Sequence, residues 1–65
     1  MKNRLRDLRV ERNWSQVELG ARVGVSRQAI IAIEMGRFDP SLPLAIKLAR
    51  LFRLSVEDLF ELDGD

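Results

Sequence analysis

The sequence predicts an all-α domain of five short helices, and three observations carry that reading. Each of the four serines, at positions 15, 26, 41 and 55, stands immediately before an apolar pattern of helical period, where an N-cap belongs. Gly24 and Gly36 each follow the last position of such a pattern, the place where a left-handed residue closes a helix. Val, Ile and Phe nowhere alternate with polar residues over a strand length, and Thr is absent.

The elements follow in order. A first helix is expected over 2–12, stopped at Asn13, with Leu5 and Leu8 as a narrow apolar stripe between Arg4, Arg6, Asp7, Glu11 and Arg12. Ser15-Gln16-Val17-Glu18 has the spacing of a capping box and opens a second helix over 16–23; Trp14 and Leu19 are placed as its hydrophobic staple. Ser26 opens a third over 27–35. Asp39-Pro40-Ser41 forbids continuation and starts a fourth over 42–52, with Pro43 tolerated in its first turn. That helix is apolar nearly all round except at Lys47 and Arg50, the pattern of a central helix packed on more than one side. Ser55-Val56-Glu57-Asp58 repeats the capping box, with Asp as its weaker closing residue, and starts a fifth helix over 56–61.

Composition excludes whole classes of chemistry. The chain has 65 residues, enough for one small domain over 1–65, with no internal repeat or linker. With no Cys there is no disulfide, and with neither Cys nor His there is no Cys/His zinc site and no Ser-His or Cys-His nucleophile. The longest apolar run, Ala29 to Ile33, falls far short of the ~20 residues of a membrane span. The N-terminus has no signal-like apolar region, so a cytoplasmic setting is expected. No cofactor or metal is expected, and an enzyme is disfavoured by size and by the lack of convergent general bases. A core this small supplies only about 3–5 kcal/mol, which makes oligomerisation a reasonable expectation.

The segment from Gln16 to Met35 sharpens the reading: an eight-residue helix, the turn Gly24-Val25-Ser26, and a nine-residue helix. A helix-turn-helix needs a tight turn with Gly near its start, small residues where the helices nearly touch, and an apolar set that locks their angle. Gly24 meets the first demand, Gly20, Ala21 and Ala29 the second, and Leu19, Val23, Val25, Ile30 and Ile33 the third. Gly20 costs about 0.8–1 kcal/mol in a helix interior relative to Ala, and a close approach by the neighbouring helix is the simplest reason to accept it.

Ser15-Gln16-Val17-Glu18-Leu19, Val23-Gly24-Val25-Ser26-Arg27-Gln28-Ala29-Ile30, Ile33-Glu34-Met35-Gly36-Arg37 and Pro40-Ser41-Leu42 together resemble the Cro/phage-repressor, or Xre-like, family of helix-turn-helix transcription regulators. The likeness is to its short single-domain members, and it extends through Leu54 to Phe60. It implies a compact, lambda-repressor-like fold with the motif in helices two and three. It also implies a sequence-specific regulator, most simply a repressor, that binds double-stranded DNA as a homodimer on a pseudo-palindromic operator. The helix after Ser26 would lie in the major groove, with Arg27, Gln28 and Ile31 toward the bases. Arg can bind guanine O6/N7, Gln can bind adenine N6/N7, and Ile31 offers only apolar contact. Relatives often carry a polar residue there, and the competing account of Ile31 is a poorly buried core residue. Gln16 matches a position used for phosphate or base contact. Val17 stands in the first turn whose free N–H groups attract an anion, and Arg37 and Asn13 are further phosphate candidates. Arg9 and Glu34 match a structural salt bridge. Phe60, Leu62 and Phe38 are the candidates for a dimer contact; in the simpler account Val56 and Leu59 finish the core and the rest is exposed.

A different class of function is also open: a protein-interaction module, such as an antitoxin, acting through the acidic tail Glu57, Asp58, Glu61, Asp63 and Asp65. The charge divides accordingly. Residues 1–37 hold eight basic and four acidic side chains, and residues 38–65 hold three and six, so a net +1 conceals halves of +4 and −3. The basic half contains the motif.

Overall fold

The computed structural model of the chain describes residues 1–64; Asp65, the last residue of the acidic tail, lies outside them. Seven elements run in the order β1 (Lys2–Asn3), α1 (Leu5–Glu11), α2 (Gln16–Val23), α3 (Arg27–Glu34), α4 (Leu42–Leu51), α5 (Val56–Leu59) and β2 (Phe60–Glu61). All four serines cap as expected: Ser15, Ser26, Ser41 and Ser55 accept from the backbone N–H of Glu18, Ala29, Leu44 and Asp58. Ser15 and Glu18 complete the reciprocal box, whereas α5 shows only the serine half, its closing Asp58 being one methylene shorter than Glu.

The turns are set by left-handed residues. Gly24 has φ +80° and donates its N–H to Gly20 O, Gly36 has φ +74°, and the non-glycines Asn13 and Arg53 end α1 and α4 at φ +57° and +58°. Gly20 is accounted for differently than expected. A Cβ there would meet Val25 O at 2.5 Å, so what comes close is the backbone of the α2–α3 turn rather than α3 itself. Val25 N–H donates to Gly20 O at 2.9 Å and fastens the turn at the same point.

Two expected boundaries are corrected. The first helix does not begin at residue 2, because Lys2 and Asn3 pair antiparallel with Glu61 and Phe60. Arg4 N–H then donates to Leu59 O at 3.1 Å. Asn3 is the pivot: its Oδ1 accepts from Leu5 N–H at 3.0 Å and opens α1, while its Nδ2 donates to Ile33 O at 2.8 Å. The fifth helix likewise stops at Leu59, and Phe60 enters an extended conformation (φ −116°, ψ 141°). The mostly helical fold thus carries a two-stranded ribbon that joins the two ends of the chain.

The core collects one face from each helix. Leu5 and Leu8 of α1, Leu19 and Val23 of α2, Ile30 and Ile33 of α3, Ala45, Leu48 and Ala49 of α4, and Leu59 of α5 are buried together. Helix α4 packs against α2 and α5, which is what its apolar circumference requires. Among the described residues, no helix is long and apolar enough to cross a membrane.

Candidate nucleic-acid interface

Helix α3 has two unlike faces. Ile30 and Ile33 are fully buried against α1 and α2, so the helix cannot roll. Arg27 and Gln28, in the first turn after the Ser26 cap, are exposed on the other side. Ile31 falls between the two faces and is half-buried, which leaves part of its side chain at the surface beside Gln28. Past the helix, Arg37 is exposed, and its N–H donates to Ala32 O at 3.0 Å, which fixes the start of the loop.

The start of α2 is tied to α3 through one carboxylate. Arg9 Nε donates to Glu34 Oε2 at 2.7 Å and Arg9 Nη2 to Glu34 Oε1 at 3.2 Å, a two-point pair between α1 and the end of α3. Arg9 Nη1 donates to Trp14 O at 2.9 Å in the α1–α2 turn. The Glu34 side chain is 3% exposed and that of Arg9 12%. Chiefly through the hydrogen bond to Glu34, and with help from its charge, the Arg9 pKa is raised above its ordinary value; desolvation opposes the shift without reversing it.

Gln16 belongs to the same cluster. Its Nε2 donates to Glu34 Oε1 at 3.2 Å, an interaction the spacing of the sequence did not reveal because the partners are 18 positions apart. The side chain is half-buried, and its Oε1 and second amide hydrogen stay unused within the chain among the described residues. Val17 and Asn13 are exposed on either side of it. The structure therefore gathers Asn13, Gln16 and Val17 at the α2 start, and Gln16 joins that start to the end of α3 through Glu34.

The dimer candidates separate. Leu62 (64% exposed) and Phe38 (48%) stand at the surface, but Phe60 is 7% exposed and belongs to the chain's own core. The expectation that Phe60 is free for a partner is corrected. With the helix ending at Leu59, the extended chain turns Phe60 inward and leaves Glu61 outside.

A family model described as Helix-turn-helix matches residues 5–59, from the first residue of α1 to the last of α5. The chain belongs to the helix-turn-helix family of transcriptional regulators. Among its relatives is an uncharacterized HTH-type transcriptional regulator of Methanocaldococcus jannaschii, 49% identical over the whole of this chain and 98% of the relative. The P22 c2 repressor, solved in complex with a synthetic operator, superimposes with a TM-score of 0.82 at 32% identity, over 95% of this chain and 91% of that one. The restriction-modification controller protein C.AhdI of Aeromonas hydrophila gives 0.76 at 33% identity, covering 88% and 86%. The regulator's fold is thus that of phage repressors, as the Xre-like resemblance implies.

Proposed function

We propose that the regulator binds double-stranded DNA sequence-specifically as a homodimer, on a pseudo-palindromic operator, and represses transcription by occupying it. The observation that carries this reading is the exposure of Arg27 and Gln28 at the start of a helix whose opposite face is wholly buried. Such a helix offers its first turn to the major groove, with no freedom to swing away. Arg27 reads guanine through O6 and N7, Gln28 reads adenine through N6 and N7, and the exposed part of Ile31 packs on a thymine methyl group.

The α2 start supplies the anchor. The free N–H groups of its first turn, at Gln16 and Val17, donate to a phosphate, and the unused donor of Gln16 assists. Gln16 Oε1 is free to accept from a base in addition. Arg37 and Asn13 hold further phosphates. Two copies meet through Leu62 and Phe38, whose apolar side chains stand at the surface.

Selection of bound duplexes from a random pool tests the whole reading. The expected product is a two-fold symmetric motif with half-sites about 10–10.5 bp apart. A pool with no enrichment at moderate salt overturns DNA recognition, and an enriched but asymmetric motif overturns the homodimer.

A further inference from the structure

Two arginines outside the recognition face lie over aromatic rings. The Arg22 guanidinium lies 4.0 Å from the centroid of the Trp14 ring. Arg12 lies 4.7 Å from the centroid of Phe52 and 5.5 Å from that of Trp14. The two rings pack on each other, tilted, at 5.8 Å. Phe52 is buried at the end of α4 and Trp14 half-buried, so the column is rooted in the core, whereas both arginines are exposed.

A guanidinium held over a ring keeps its N–H donors, and among the described residues no acceptor in the chain takes up those of Arg12 or Arg22, which leaves them for a phosphate or carboxylate. Among the described residues, neither Arg12 nor Arg22 forms an ion pair. Glu18, one turn before Arg22, has its carboxylate accepting from Ser15 N–H at 3.1 Å. The column also relocates charge. Arg22 stands six residues past Gln16, about 9 Å along the helix axis, yet helical side chains lean toward the N-terminus. Contact with Trp14, which precedes the Ser15 cap, draws the guanidinium back toward the start of α2. Arg12 arrives at the same rings from the end of α1. Two cations therefore share the Trp14 ring, one residue before the Ser15 cap of a helix whose starting dipole is also positive, an arrangement that an oxyanion relieves.

We infer that Arg12 and Arg22, held by Trp14 and Phe52, form a further site for DNA backbone phosphates, adjoining the contact at the α2 start. The inference rests on the DNA-binding reading above and enlarges its footprint. A phosphate site of this kind strengthens binding to every sequence and leaves base preference untouched.

The test is a titration of the full chain against its selected duplex over a range of salt, for the wild type, Arg12→Gln, Arg22→Gln and the double variant. Each single substitution is expected to flatten the plot of log K against log salt by about 0.9 per bound protomer and the double by about twice that. Repeating the selection with the double variant is expected to return the same motif. Wild-type slopes in all three variants overturn the site while leaving DNA recognition standing. A wild type that binds no duplex overturns the reading beneath it. Variants with the wild-type DNA slope that lose affinity for a polyglutamate probe assign the column to an acidic protein partner, and the phosphate site falls. Trp14 is the sole tryptophan, so the wild type gives a second measurement. A phosphate seated on the column alters Trp14 emission when duplex is added. Emission indifferent to saturating duplex overturns the inference even where a variant fails to fold.

Discussion

Replacing Glu34 by Gln keeps the shape of the side chain and removes its charge. Three donors converge on that carboxylate: Arg9 Nε on one oxygen, and Arg9 Nη2 and Gln16 Nε2 on the other. A glutamine offers one oxygen and one amino group, so at least one of those donors then faces another donor. Removing one partner of a buried ion pair costs about 3–5 kcal/mol. Arg9 retains a rim of solvent and its bond to Trp14 O, which places the expected cost near the lower end, about 3 kcal/mol. A chain of this length has a total stability of about 3–10 kcal/mol, so the loss is a large fraction of it. The melting temperature is expected to fall by about 12–24 °C. Circular dichroism melts of Glu34→Gln, Arg9→Met and the double variant Arg9→Met/Glu34→Leu provide the assay. Replacing both partners removes the orphaned charge, so the double variant should melt above either single one. The raised Arg9 pKa fixes the pH behaviour. A cation whose pKa is raised by folding contributes fully below its unfolded value and loses that contribution only as pH climbs past the folded one. The difference between wild type and Arg9→Met is therefore expected to stay constant from about pH 7 to pH 10. A Glu34→Gln melt within about 3 °C of the wild type would refute the argument. So would a double variant that suffers the sum of both single losses.

The interface yields further expectations. Gln28→Ala should weaken specific binding by about 1–3 kcal/mol and relax selection at one base position per half-site, as read by site selection; unchanged specificity removes Gln28 from base contact. Arg37→Ala should weaken all sequences alike and lower the salt slope by about one per contact, measured by titration at several salt concentrations. Leu62→Asp should sediment as a monomer with an unchanged circular dichroism spectrum, since its side chain is outside the core. A persistent dimer places the contact elsewhere. Phe60→Asp is no test of the dimer, because it introduces a charge into the core and is expected to unfold the chain.

What was legible in the sequence is whatever is decided within a few residues. The serines mark the starts of α2 to α5, and Gly24 with Gly36 marks two ends, because caps depend on partners three or four positions away. Arg27 and Gln28 were legible for the same reason: their exposure follows from the period of Ile30 and Ile33. The ribbon was not. Two-residue strands are too short to alternate, and Asn3 pairs with Phe60 from the other end of the chain. The burial of Phe60 was hidden with it, since that residue faces the core only once the helix has given way to extended backbone. Gln16 could be placed at the α2 start, but its bond to Glu34 depends on the angle between two helices. The aromatic column joins α1, α2 and α4 and is equally invisible to local spacing.

The terminal ribbon has a kinetic consequence. Its pairing of Asn3 with Phe60 closes a loop that runs through nearly the whole chain. Loop closure grows costlier with length, whereas the α2–α3 contacts are made between neighbours, so the ribbon should form late and open first. Native-state hydrogen exchange is expected to show Arg4 N–H, bonded to Leu59 O, exchanging well before Val25 N–H, bonded to Gly20 O. Equal protection at the two amides would mean that the chain opens only as a whole. Because Asn3 also holds Ile33 O, each opening of the ribbon releases a carbonyl near the end of α3. The far end of α3 thus inherits the opening rate of the ribbon, while its first turn stays fastened by the Gly20 turn.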